Sequence, residues 1–308
     1  MSKEKWSKSD IPDLSGKIVI VTGGNSGLGF ESVRAFAEKG AEVILASRSK
    51  SRGKEAKAAI LNELPDAKIK VMWLDLVDLE CVKAFSEEFK KKYDRLDILM
   101  NNAGVMTTPY FKTKDDFEGQ MGTNHLGHFA LTGRLMDLIK STKGARVVNV
   151  SSNAHKVGRI DFDNLLFEEG KAYSPMKAYG RSKLANLLFT YELQRRFESD
   201  GTDAIAVAAH PGTTRTNLDR YINKRVFYRI LSPLISTISQ DAEMGALPQI
   251  RAAVDPGVKG GEYYGPGGFG EMKGYPVRVK SNAASHDREA ARKLWEASEK
   301  LTEVSYQV

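Results

Sequence analysis

Ile18-Val19-Ile20-Val21-Thr22-Gly23-Gly24-Asn25-Ser26-Gly27-Leu28-Gly29 is the stretch on which the reading of the chain turns. A short run of β-branched apolar residues ends abruptly in glycines. A helical pattern follows, with Val33, Phe36 and Ala37 on one face and Gly40 as its stop signal. The segment predicts a strand, a tight turn and a helix. Glycines let the backbone approach a phosphate closely, and a helix start offers unpaired N–H groups and the positive end of a dipole. An ordinary strand-to-helix turn can be just as glycine-rich. The spacing Gly23-x3-Gly27-x-Gly29 also departs from the usual GxGxxG form, so the surrounding chain has to decide.

Residues 1–16 read as an arm, with Pro12 and Gly16 as breakers. Beyond the first helix, Val43–Ala46 reads as a second strand and Lys50–Leu64 as a charged helix stopped by Pro65. Ile69–Leu74 is a third strand, Glu80–Lys92 a helix and Leu96–Met100 a fourth strand. This β-α-β-α-β-α-β alternation predicts a parallel sheet with helices on both faces and a ligand crevice at the carboxyl ends of the strands. A long helical stretch over about Lys114–Lys140 follows, then strand Arg146–Val150. Next comes a helix from Pro175, with Ser174 as N-cap and apolar positions Leu184, Leu187, Leu188 and Tyr191, then strand Ile205–Ala209. Tyr263-Tyr264 reads as a last strand and Ser285–Lys300 as a closing helix. Without repeats or an interdomain linker, residues 1–308 read as one domain.

Composition restricts the function classes. With 308 residues, 41% hydrophobic and 28% charged, the chain has the balance of a globular protein. The single cysteine, Cys81, excludes an internal disulfide framework. No apolar run approaches the roughly eighteen residues of a membrane span, and Met1–Lys8 lacks a signal-peptide core. A cytoplasmic location is the expectation. The net charge of +7 is spread along the chain, without a nucleic-acid recognition motif.

The strand ends carry the chemistry. Ala46-Ser47-Arg48 follows the second strand. An acid at that place binds the ribose 2′-OH of NAD, whereas an arginine accommodates a 2′-phosphate. The acid is absent and Arg48 is present, with Lys50 and Arg52 close behind, which places NADP ahead of NAD. Asp75-Leu76 follows the third strand and Asn101-Asn102-Ala103-Gly104 the fourth. Asn124 lies between them and Ser151-Ser152 of the fifth. Tyr179-x3-Lys183 lies on the helix after it, and His210-Pro211-Gly212-Thr213-Thr214-Arg215-Thr216 closes the sixth strand. The i, i+4 spacing puts Tyr179 and Lys183 on one helix face. A tyrosine of pKa about 10 is too weakly acidic to work near neutrality unless a nearby cation favours its phenolate.

These motifs, in this order, closely resemble the short-chain dehydrogenase/reductase family over nearly the whole chain. The resemblance implies a Rossmann-type, doubly wound α/β sheet of about seven strands in order 3-2-1-4-5-6-7. It implies a cofactor site formed by Gly23, Asn25, Ser26, Gly27, Leu28, Gly29, Ser47 and Arg48, with Asp75 and Leu76 beside the adenine. Asn102, Ala103 and Gly104 would run along the cofactor. Pro211, Gly212, Thr214 and Thr216 would lie at the nicotinamide end, although relatives carry valine or isoleucine where this chain has Thr214. Tyr179 would be the general acid/base, Lys183 would depress its pKa and hold the ribose, Ser152 would polarise the substrate oxygen, and Asn124 would position a water. Ser151 rivals Ser152, but the family pattern favours the second serine.

Ser152 and Tyr179 are 27 residues apart, and the insert from His155 to Lys171 resembles the branch of retinol dehydrogenases and WW-domain oxidoreductases. That branch implies NADP and a lipophilic alcohol or carbonyl substrate. Residues 217–242 mix apolar side chains with Arg220, Lys224, Arg225 and Arg229. The family resemblance makes them part of a substrate lid over about 213–245, and the basic amphipathic mix leaves peripheral membrane contact as a compatible second role. The helices near 114–140 and 175–198 carry an apolar surplus, and the family resemblance, in which such helices often pair across a two-fold axis, implies a homodimer or homotetramer. His125 and His128 lack the further ligands a metal needs, so no metal is expected. The alternative to an enzyme is an NADP-binding redox sensor, against which the full set Asn124, Ser152, Tyr179 and Lys183 argues.

Overall fold

The computed structural model describes residues 5–214 and 239–308. The expected Thr216 contact and most of the expected lid lie outside these residues. Strand β1 (Ile18–Thr22) leads through the glycine turn into α1 (Gly27–Glu38), and the alternation continues with β2 (Glu42–Ser47), α2 (Lys50–Glu63), β3 (Ile69–Trp73), α3 (Leu79–Lys90) and β4 (Ile98–Asn101). The second half holds β5 (Arg146–Val150), α7 (Pro175–Asp200), β6 (Ile205–Ala209), α8 (Ala242–Val254), β7 (Tyr263–Pro266), β8 (Pro276–Arg278) and α9 (Arg288–Thr302).

The sheet order is β3-β2-β1-β4-β5-β6-β7-β8, one strand more than expected. The extra strand, β8, is antiparallel and pairs Tyr264 with Arg278 and Pro266 with Pro276. All other pairings are parallel. Alternate residues serve opposite faces. Val19, Val21, Val43 and Leu45 join the core under α1 and α8, whereas Ile20, Ile44, Leu99 and Val147 join the core that includes Phe129 and residues of α3 and α7. Burial on both faces explains why the strands read as unbroken apolar runs.

The stretch expected as one helix from Lys114 to Lys140 is broken. It begins with a bridge between Lys112 and Glu118. Short α4 (Gly119–Met121) then passes through a π-helical turn, Gly122–Leu126, into α5 (Gly127–Arg134) and α6 (Met136–Ser141). Glu118 starts this run by accepting the N–H groups of Gln120 and Met121. At α7, Ser174 occupies the N-cap position without a side-chain bond, and Pro175 fills the first turn, where its missing N–H costs nothing.

The apolar surplus of α5 and α7 is buried within the chain. Helix α9 packs on both, and Trp295 and Tyr306 enclose Phe129 and Phe189, with ring centroids of Phe129 5.2 Å from Trp295 and 4.7 Å from Tyr306. Among the described residues no helix is long and apolar enough to cross a membrane.

Candidate active site

A continuous cavity lies at the carboxyl ends of the strands. It is lined by Gly23, Asn25, Ser26, Gly27, Leu28 and Gly29 from the first turn, and by Arg48, Asp75 and Leu76 from the ends of β2 and β3. Asn102, Ala103 and Gly104 follow β4, and Tyr179, Lys183 and Pro211 come from the far side. Thr22, Arg52, Val105, Met106, Thr123 and Val150 complete much of its wall. Arg52, noted in the sequence close behind Arg48, joins it in the lining. It stands in the first turn of α2, four residues after Arg48.

The glycine turn is shaped for a close approach. A Cβ on Gly29 would stand 2.4 Å from Gly23 O and 2.6 Å from Asn102 Nδ2, so only a bare backbone fits. Thr22 ties this turn to the next one: its Oγ1 accepts the N–H groups of Asn102 and Ala103, each at 2.9 Å. His128 lies on the other side of that hydroxyl, with Nε2 at 2.8 Å, while its Nδ1 reaches the Asn124 carbonyl at 3.1 Å. A carbonyl only accepts, so Nδ1 carries the proton and Nε2 accepts from Thr22. Burial pushes His128 down to about 4, which keeps this neutral form. His125 bonds Ser298 instead, at 2.9 Å.

Asn124 sits in the π-helical turn and is fully buried. Its Oδ1 accepts Val105 N–H at 2.8 Å, and its Nδ2 donates to Val105 O and Ser182 Oγ. The side chain therefore fastens the 105 loop to α7 and does not itself line the cavity. π-helical turns of this kind are frequent at functional sites.

On α7, Lys183 Nζ donates to Val150 O at 2.9 Å and lies 5.8 Å from the centre of the Tyr179 ring. Burial pushes its ammonium down to about 8. A Cβ on Gly104 would come within 3.6 Å of Nζ and 3.1 Å of Asn124 Oδ1, so the glycine keeps this corner open. Ser151 lines the cavity, but its hydroxyl donates to Lys183 O at 2.8 Å. Ser152 lies just beyond the lining, and its Oγ accepts Ala154 N–H at 3.2 Å.

Three further candidates stand beside the cavity and are held by neighbouring protein atoms. The Ser47 hydroxyl is buried, 3.0 Å from Asn25 Oδ1 and 3.1 Å from Ser49 O, and supports the glycine turn from behind. Thr214 Oγ1 donates to Pro211 O at 2.8 Å. Gly212 adopts φ +66°, and a Cβ there would meet Met272 O at 2.3 Å.

Residues 17–164 match the family model for short chain dehydrogenases. Retinol dehydrogenase 14 of Mus musculus is 41% identical over 299 residues, 93% of this chain and 86% of that one. Human retinol dehydrogenase 12 is 39% identical over 297 residues, 96% and 89% of the two chains. Among solved structures, an uncharacterised protein from Mycobacterium paratuberculosis superposes with a TM-score of 0.82 at 38% identity, covering 99% of this chain and 100% of that one. A short chain dehydrogenase from Shigella flexneri, complexed with NADP, shares the fold at a TM-score of 0.63 and 21% identity, over 82% and 97% of the two chains. Sequence, sheet order and relatives agree: the chain belongs to the short-chain dehydrogenase family, in its retinol dehydrogenase branch, and is an NAD(P)-dependent oxidoreductase of alcohols and carbonyls.

Proposed function

We propose that the protein uses NADP to interconvert a lipophilic alcohol and its carbonyl, with Tyr179 as general acid/base. The observation that carries this reading is the buried Lys183 ammonium beside Tyr179 at one end of a cavity whose other end holds Arg48 and Arg52. The cavity fits a dinucleotide: a bare glycine turn in the middle, cations at the β2 end and an exchangeable proton at the α7 end.

Gly23–Gly29 would hold the diphosphate on the N-terminus of α1, whose dipole favours anions. Arg48 and Arg52 would take the 2′-phosphate, and Asp75 and Leu76 the adenine. When bound, the nicotinamide supplies or accepts the hydride. The chain's part is orientation and the proton. Tyr179 gives its phenolic proton to the substrate oxygen in reduction and takes it back in oxidation. Lys183 stabilises the phenolate and holds the ribose hydroxyls. Ser152, whose Oγ accepts from Ala154, has its own O–H to donate to the same oxygen. Asn124 holds the 105 loop against α7 and would position a relay water.

A panel of aldehydes, ketones, sterols and quinones with NADPH, followed at the nicotinamide absorbance, tests the reading. Turnover concentrated in apolar substrates supports it. Absence of turnover across the panel in both directions, with NADPH bound, overturns it.

A further inference from the structure

Two buried imidazoles stand behind the reacting end of the cavity, and the mechanism above uses neither. The rings of His155 and His210 both pack against Tyr263, with centroids 5.7 and 5.2 Å away. His155 Nδ1 donates to the Ser152 carbonyl at 2.7 Å, and its Nε2 accepts Asn282 N–H at 3.3 Å. His210 has the opposite tautomer. Its Nδ1 accepts Gly212 N–H at 3.2 Å, so the proton is on Nε2, which faces Glu271 Oε2 at 3.2 Å, off the line of a hydrogen bond. Burial favours the neutral ring; the Glu271 carboxylate opposes it, and the Lys156 ammonium adds to it.

Glu271 is itself anchored. Its carboxylate lies 3.3 Å from Lys156 Nζ, and its carbonyl accepts from Asn153 Nδ2 at 3.4 Å. The neighbouring Met272 carbonyl takes Thr213 N–H at 2.8 Å and is the atom against which Gly212 is packed. The strap carrying Glu271 thus braces the Pro211-Gly212 turn on one side, and His210 satisfies its N–H on the other.

We propose that His210, oriented by Glu271, is a positioning residue that fixes the Pro211-Gly212 turn and so sets how tightly the nicotinamide end of the cofactor is held; this rests on the NADP reading above. Gly212 holds a left-handed backbone conformation, and its N–H has His210 Nδ1 as its acceptor. Without that acceptor the turn carries an unsatisfied donor and relaxes. The effect stays local, because β6 and the β2–β3 end of the cavity are separated by β1, β4 and β5 in the sheet.

The test compares two probes, NADPH and 2′,5′-ADP, which lacks the nicotinamide end. In His210→Phe, which keeps a ring and loses the acceptor, the NADPH dissociation constant is expected to rise about tenfold, the scale of one lost hydrogen bond. The 2′,5′-ADP constant stays within about twofold, since its contacts are distant. His210→Asn, whose Oδ1 can stand where Nδ1 was, recovers most of the NADPH affinity. If His210→Phe fails to fold by circular dichroism, His210→Gln replaces it, because its amide reaches toward Glu271 rather than Gly212. Equal loss for both probes, no loss for NADPH, or no rescue by asparagine overturns the proposal. A wild type that binds both probes but turns over no alcohol or carbonyl defeats the functional reading and leaves this comparison intact.

Discussion

At the β2 end of the cavity both arginines, Arg48 and Arg52, are exposed to solvent, whereas at the α7 end Asn124, Tyr179 and Lys183 are all buried. Charges at the exposed end are screened by water, so they can be altered without disturbing the fold. The buried end holds its groups by bonds that each have a fixed partner: Val105 and Ser182 for Asn124, Val150 for Lys183. A low-dielectric site makes a proton-transferring pair effective and makes every unpaired group costly. On the proposed function, the same chain uses loose electrostatics for recognition and rigid hydrogen bonding for chemistry.

The sharpest way to break this contrast is Tyr179→Phe. Removing one buried hydroxyl while keeping the ring should lower turnover by about 10²–10⁴-fold, the usual worth of a positioned acid/base. NADPH affinity, read by nicotinamide fluorescence, should hardly move. Turnover close to wild type would remove Tyr179 from the mechanism.

Lys183 makes the cost of the buried end measurable. Its folded pKa, about 8, lies below the unfolded 10.5. Between those values the unfolded chain binds more protons, so stability rises with pH across that window; below about 8 the burial cost is constant. That cost is about 3 kcal/mol, and Lys183→Met should recover part of it near neutrality while abolishing turnover. Denaturant melts of both proteins at pH 7 and pH 10 check this. The stability gap should narrow at the higher pH, and a gap independent of pH would contradict a strained lysine.

At the exposed end, Arg48→Ala should weaken NADPH by about ten- to a hundredfold, the range of a charge-assisted pair, with NADH nearly unaffected. Arg52→Ala should act in the same direction and by less. The smallest effect is that of salt: raising it should shrink the preference for NADPH over NADH several-fold, as expected of a screened contact. A preference that survives high salt would show that shape, not charge, selects the cofactor.

The two ends also differ in how far the sequence revealed them. Strands β5 and β6 and the start of α7 at Pro175 were legible to the residue, because apolar runs bounded by Gly and Pro leave few alternatives. The alternation of elements pointed to a parallel sheet, and the family resemblance implied the order of its first seven strands, which the structure has. The three-residue β8 was not legible, since so short a pairing has no periodicity of its own. The π-turn at Gly122–Leu126 was hidden for a different reason: its dihedrals are close to α-helical, and only the hydrogen-bond partners differ. The inward turn of Ser47 toward Asn25, and the union of Asn124 with Ser182 across 58 positions, are long-range contacts that no local spacing encodes. The bond from Thr214 Oγ1 to the Pro211 carbonyl and the close approach of Thr214 to Gly245 are likewise invisible in the sequence.

Helix α9 and the tail residue Tyr306 lie on α5 and α7 and cover the aromatic rings those helices carry. A tethered cover differs from a partner in one respect: its local concentration is set by the chain and not by how much protein is present. An interface between copies dissolves on dilution, and the melting temperature falls with it. Here the aromatic cluster of Phe129, Phe189, Trp295 and Tyr306 closes in a unimolecular step. Its contribution to folding is the same in a cell that makes few copies as in a tube that holds many.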